Sequence, residues 1–213
     1  MKYGLPDPIQ YLENPWRPDR WTSHCKEVIF NHWDETLKNA AKAQQDSGQS
    51  LELFDVSNLS IKKPHKIWEA AGRISSEVTK AVVVNWMLMG VFLTRDKLFK
   101  FKKIDSPICI YCDPSKALNI EENLYHHLWV CSAFTDIREP FIEDLTTMNP
   151  SIPNFMSNHK IITISILDPE SGFLPEEIRL NWSNLDKIYS LARNFVFNLF
   201  QKRKILTNQY DQT

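Results

Sequence analysis

Apolar positions along the chain fall mostly at helical spacing, separated by short breaks rich in Pro, Ser, Asn and Asp. From 22 to 46, Cys25, Ile29, Trp33, Leu37 and Ala41 recur every four residues. This spacing makes one stripe and predicts a core-packing helix, ended by Ser47-Gly48-Gln49-Ser50. Leu51-Glu52-Leu53-Phe54 alternates like a short strand. Ile67 to Ala71 reads as a short helix closed by Gly72. Ser75-Ser76 caps a helix that runs to about Phe92, with Val78, Val82, Trp86 and Met89 on one face. Val83, Val84, Met87 and Leu88 make that helix apolar nearly all round, which predicts deep burial, with a buried strand as the alternative for a valine run.

Farther on, Ser132 opens an amphipathic stretch marked by Phe134, Ile137, Phe141 and Leu145, and Asn149-Pro150 ends it. Pro140 lies inside that stretch and should kink the helix or mark its true start. Ile161 to Leu167 fits either strand or helix. The last helix carries the stripe Leu185, Ile188, Ala192, Phe195 and Leu199. Ser183-Asn184-Leu185-Asp186 fits a capping box, and Lys202, Arg203 and Lys204 complement the negative end of the helix dipole. Pro6, Pro8, Pro15 and Pro18 make the first twenty residues a non-helical lead-in.

The expected fold is mainly α, a helical protein with a small Cys-Cys-His-Cys zinc module between helices. Four regions follow from the pattern: a Pro-rich lead-in at 1–20, a helical region at 21–94, a basic segment with the zinc-binding module at 95–148, and a C-terminal helical region at 149–213. The 213 residues suffice for one ordinary domain or two small ones. Lys and Arg number 25 against 26 Asp and Glu, for a net charge of -1, so a polyanionic partner would need a local surface. The apolar run from Ala81 to Leu93 is broken by Asn85 and falls short of the roughly 20 residues of a membrane span. The start of the chain lacks the apolar stretch of a secretory leader. The expectation is a soluble intracellular protein of nucleus or cytoplasm, without a membrane partner. Its four cysteines should be reduced or bound to metal, because disulfides do not persist in such compartments.

Three of those cysteines carry the chemistry. Cys109-Ile110-Tyr111-Cys112 is a C-x2-C pair, followed by His126, His127 and Cys131. The pattern is C-x2-C-x13-H-x4-C with His126, or C-x2-C-x14-H-x3-C with His127. Two thiolates two residues apart reach one ion from a tight turn, and a His and a Cys four or five residues apart supply the other two ligands. Soft sulfur plus imidazole in four-coordinate geometry favours Zn²⁺, and four protein ligands leave no open position, which makes such an ion structural. His127 and Cys131 share a helical face at i, i+4, so helix geometry slightly prefers His127; His126 requires the helix to end near the cysteine. Two other readings are a thiol redox couple at Cys109-Cys112 and simple buried cysteines. Cys25 reads as a small buried hydrophobe.

Just upstream, Arg95, Lys97, Lys100, Lys102 and Lys103 surround a single acid, Asp96, with Phe99 and Phe101 interleaved. Cations with aromatics between them suit phosphates and unpaired bases. A solvated charged face with core phenylalanines is the other reading.

These segments together resemble a known region. From about Trp68 to Leu145 the chain is similar to the zinc-binding region at the C-terminal end of non-LTR retrotransposon reverse transcriptases. The likeness lies in Val83 to Leu93, Lys100-Phe101-Lys102, Asp105-Ser106-Pro107-Ile108-Cys109-Ile110-Tyr111-Cys112, Glu121-Glu122, His126-His127-Leu128-Trp129-Val130-Cys131-Ser132-Ala133-Phe134 and Arg138-Glu139-Pro140-Phe141. The firm motifs cover roughly a third of the chain. The resemblance implies His126 as the ligand, five residues before the last cysteine, with His127 as competitor. It also implies contact with template RNA or target DNA. Two positions depart from the pattern: Tyr125 stands where Glu is common, and His127 where an aliphatic is usual. No Tyr-x-Asp-Asp polymerase signature, Gly-rich phosphate loop or Gly-x-Ser-x-Gly elbow occurs. The expectation is therefore a non-catalytic module of a retroelement-derived reverse transcriptase without its polymerase core. Its expected partners are RNA or DNA and, through exposed apolar surface, a reverse transcriptase core or another protein. A zinc-stabilised protein-interaction scaffold is the alternative.

Overall fold

A computed structural model describes residues 8–13, 15–48, 50–113, 115 and 117–210. The chain is mainly helical, and among the described residues there is no strand, only an isolated antiparallel bridge between Ile108 and Glu121. The helices are α1 (Pro8–Glu13), α2 (Pro18–Asp46), α3 (Lys66–Ala71), α4 (Ser75–Leu88), α5 (Arg95–Lys100), α6 (Thr135–Met148), α7 (His159–Leu167), α8 (Glu176–Leu180) and α9 (Leu185–Tyr210). Among the described residues no helix is long and apolar enough to cross a membrane.

The chain forms two compact units. The first comprises Met1–Gln49 and Val56–His65, the second Ser50–Asp55 and Lys66–Thr213. In the first, the expected non-helical lead-in is corrected: Pro8 and Pro18 each open a helix. A proline in the first turn costs nothing, because the N–H it lacks would have no intrahelical partner there. Pro6 lies outside the described residues. The α2 stripe is also corrected. Ile29, Trp33 and Leu37 are 38%, 50% and 40% exposed, and only Ala41 of the stripe is buried. Asp34 organises the outer side of this helix, accepting from the Ile61 N–H at 2.9 Å and pairing with Lys38 at 2.9 Å. The bond from Lys38, joined by the one from Ile61, holds its carboxyl down at about 2.

The second unit has its core among α4, α6, α7 and α9. Phe141 of α6 stacks on Phe195 of α9 with centroids 3.9 Å apart, and Trp129 lies 5.9 Å from Phe195. The Trp129 indole N–H donates to Thr163 Oγ1 at 2.7 Å, which satisfies a polar group inside that core. The buried face of α4 is Ala81, Val83, Val84, Met87 and Leu88, whereas Trp86, from the face expected to lead, is 40% exposed. α4 also stops at Leu88, short of Phe92. Gly90 follows with φ +69°, a left-handed turn that a side chain would strain, and the chain reverses there. Leu51 to Phe54 is a turn with the left-handed Leu51 at φ 66° and no strand. The 161–167 run is helical in α7, capped by Asn158, whose side chain accepts from the Ile161 N–H.

α6 keeps Pro140 inside it, so the helix starts earlier than that residue. α9 is capped by Asn184, which accepts from the Lys187 N–H at 2.9 Å; Ser183 takes no part in the cap. α9 continues to Tyr210, so Lys202, Arg203 and Lys204 are not at its end and do not serve its dipole.

Candidate metal centre

The first two ligand-type residues come from a tight hairpin. The Cys109 N–H donates to the Ile120 carbonyl at 2.8 Å and the Glu122 N–H to the Pro107 carbonyl at 2.9 Å, closing the loop 107–122. Between them the chain turns sharply, with the Asp113 N–H bonded to the Cys109 carbonyl at 3.1 Å. The turn aims backbone N–H groups of Cys112 and Tyr111 at the Cys109 sulfur. Asp113 is buried and accepts from the Leu118 N–H at 3.1 Å, holding the insert against the turn. Pro114 lies outside the described residues.

The second pair comes from residues 126–131. Asn123 accepts from the His126 N–H at 2.8 Å and starts the turn. The turn then widens: the Cys131 N–H bonds to the His126 carbonyl at 2.8 Å, a π-type i to i+5 closure spanning His126–Val130. Cys131 leaves the helix at once, with φ -57° and ψ 120°. This places His126, not His127, beside the cysteines. The i, i+4 argument for His127 assumes a regular α-helix through Cys131. The wide turn instead brings residue i+5 back over His126.

As a result Cys109, Cys112, His126 and Cys131 gather, with their ligand atoms all within 4.8 Å of one another. Cys109 Sγ and Cys131 Sγ are 3.7 Å apart, and Cys112 Sγ and His126 Nε2 are 3.4 Å apart. The cluster can hold a metal ion. His127 turns away from it and is fully buried. It stacks on Phe92 at 5.5 Å and meets Phe134 edge-on at 4.8 Å. Its ring nitrogens have no hydrogen-bond partner among the described residues, and burial holds its pKa well below the usual histidine value.

The three sulfurs lie close enough to shift one another's acidity. The hydrogen bond from Cys131 pulls the Cys109 thiol down to about 4, with help from His126 and the turn N–H groups. Burial pushes Cys112 up, and the bond to Cys109 pushes Cys131 up. A cation at the centre would stabilise every thiolate at once.

Several residues that brace the site escape a reading for ligands. Arg138, buried on α6, donates through Nε to the Leu128 carbonyl at 3.0 Å and through Nη2 to the Cys131 carbonyl, fixing the chain where the last cysteine leaves the turn. Glu122, fully buried, accepts from Arg203 Nε at 2.7 Å, and this ion pair ties the ligand hairpin to α9. Burial raises the Glu122 pKa while Arg203 opposes the rise. Tyr111 and Thr207 share a second tie at 2.7 Å. The sequence did carry a signal for Arg203: it falls four residues after Leu199, where the buried stripe would continue.

The basic cluster is drawn partly inward. Arg95 donates to the Ile108 carbonyl at 2.7 Å and the Ser106 carbonyl at 3.2 Å, supporting the ligand hairpin from below. Lys97 donates to the Gly90 carbonyl at 2.6 Å, and burial lowers its pKa. Lys100 pairs loosely with Asp96 at 3.5 Å, and Lys102 and Lys103 are exposed. Phe99 and Phe101 are 44% and 61% exposed, so the reading that made them core is overturned. Compared with protein-family models, with curated proteins and with solved structures, the chain matches none of them.

Proposed function

We propose that this chain is a non-catalytic, zinc-stabilised module that contacts RNA or DNA, of the kind found at the C-terminal end of retroelement reverse transcriptases. The observation that carries the reading is the closed four-ligand cluster. Tetrahedral zinc with Zn–S bonds of about 2.3 Å and a Zn–N bond of about 2.0–2.1 Å separates two sulfurs by about 3.8 Å and a sulfur from a nitrogen by about 3.5 Å. Two of the six separations, 3.7 Å and 3.4 Å, are those of such a tetrahedron, and all six lie within 4.8 Å. Three sulfurs and one imidazole select zinc over the harder cations, and four protein donors leave no position for a substrate.

Phe99 and Phe101, exposed beside Lys100, Lys102 and Lys103, support the nucleic-acid part. With Arg95 and Lys97 held by carbonyls, the contact surface is smaller than the sequence suggests, so affinity is modest and falls steeply with salt.

The test has two stages. Metal content of the purified chain should be one zinc, lost in Cys112→Ser. Binding of labelled single strands should then weaken with salt, and Lys102→Glu with Lys103→Glu should reduce the log–log salt slope by roughly 1.5. A folded chain without zinc sinks the metal reading, and binding to neither RNA nor DNA at low salt sinks the other.

A further inference from the structure

Behind the metal centre lies a cavity of about 340 Å³, lined by Trp86, Val91, Phe92, Leu93, Phe200 and Arg203. The proposed metal and nucleic-acid roles leave this cavity without a purpose. Its volume is at the small end of ligand pockets, room for one ring system and little more. Three of its walls are aromatic. Trp86 and Phe92 each stand edge-on to Phe200, at 72° and 69°, with centroids 6.1 Å and 6.4 Å away.

Arg203 lines the cavity as well, and its guanidinium is held in place. Arg203 lies over the Phe92 ring at 5.5 Å and the Tyr111 ring at 5.9 Å. Its Nε–H is taken by Glu122. Its Nη groups have no hydrogen-bond partner among the described residues. Four donor hydrogens are thus left on a fork whose orientation is already fixed.

This chemistry narrows the occupant. A purely apolar side chain entering the cavity would strip water from those Nη donors and give nothing back. A bare phosphate would meet a cation already neutralised by Glu122, with no use for the aromatic walls. A planar ring that stacks on aromatics and offers carbonyl or ring-nitrogen acceptors satisfies both features. We infer that the cavity takes one unpaired nucleobase from a single-stranded nucleic acid, guanine best of all, with Arg203 forked onto its O6 and N7 edge.

The inference rests on the nucleic-acid reading above and adds what that reading lacks: a preference for single strands and for one base. A paired base cannot enter unless it is flipped out of its stack, so duplex is disfavoured. The cavity is also coupled to the metal centre. Phe92 stacks on His127, next to the ligand His126, and Glu122 belongs to the ligand hairpin. One wall is therefore held by the hairpin that carries Cys109 and Cys112, and another by the turn that carries His126 and Cys131.

The experiment is fluorescence anisotropy on the metal-loaded chain with labelled ten-residue uridine strands. One strand carries a single central guanine, a second has an abasic site there, and a third is the guanine strand annealed to its complement. Wild type should bind the guanine strand about tenfold or more tighter than the other two. Trp86→Ala, at a side chain 40% exposed, should lose that preference. Arg203→Lys, which keeps a cation beside Glu122, should lose it too, while both variants keep the salt-dependent binding common to all strands. Circular dichroism verifies that the variants fold. Equal affinity of wild type for guanine and abasic strands overturns the inference and leaves the nucleic-acid reading standing. So does an undiminished guanine preference in both variants. Absence of binding to every strand at low salt overturns both.

Discussion

Phe195 and Cys109 are equally hidden, at 3% and 0% exposure, but different forces hold the regions around them. Around Phe195, four helices contribute apolar surface, and their backbone groups are paired within each helix before any packing begins. Around Cys109, among the described residues, there are one π-helical turn, one isolated bridge and two cross-loop hydrogen bonds. What gathers there is donors: three sulfurs and an imidazole, ringed by N–H groups and by arginine-bound carbonyls. The first region should lose stability by degrees as contacts are removed. The second should fail as a unit, because removing one of four ligands deprives the others of their common partner.

The largest effect that separates the two regions is Cys131→Ser. It should abolish metal binding and lower the melting temperature by about 10 °C or more. Hydrogen exchange should show the Cys109 and Glu122 amides losing protection while those of Val196 and Leu199 keep theirs. Survival of hairpin protection without metal would mean that burial, not coordination, closes the loop.

Next comes Phe195→Ala, which removes the ring stacked on Phe141 and should cost about 3–5 kcal/mol in urea denaturation. Metal content per chain should stay the same. Metal lost in proportion to stability would erase the distinction between the regions.

Glu122→Gln sharpens the boundary, since it cuts the ion pair joining the hairpin to α9. Leaving Arg203 buried without its carboxylate should cost about 3 kcal/mol. The double variant Glu122→Gln with Arg203→Met should recover part of that loss, which a purely steric defect would not.

The smallest effect lies at Asp34 on α2, outside both regions. Its carboxyl is held at about 2 against an ordinary 3.8. A lowered carboxylate pKa contributes stability that is fully present above 3.8 and lost as pH falls through 2. Titration by NMR should find Lys38→Ala moving that pKa upward, with metal binding at neutral pH unchanged. No movement would assign the shift to the Ile61 N–H and the Ser60 hydroxyl.

Much of this was legible beforehand. α6 and α9 follow from their stripes, because an apolar face repeating at 3.6 residues has one stable use, whereas α7 read equally as a strand and α5 and α8 went unread. The cysteine spacing named three of the four positions that cluster. What stayed hidden depended on partners far along the chain. Ile29, Trp33 and Leu37 form the stripe the sequence promised, but a stripe does not say whether anything covers it. Arg203 resembled a dipole complement only because its partner Glu122 lies 81 residues earlier. Arg95 and Lys97 resembled phosphate contacts until carbonyls of the hairpin and of Gly90 took their donors.

By itself the sequence determined local matters: where helices can start and stop, which faces are apolar, and that the cysteine turn offers two sulfurs to one point. These are properties of neighbours within a few residues, where spacing fixes geometry. Tertiary structure alone decided between His126 and His127, since a single turn widened to i+5 exchanges which of two adjacent rings points at Cys131 and which enters the aromatic core. It also decided which cations are free and where a cavity opens, because both depend on atoms that only folding brings together.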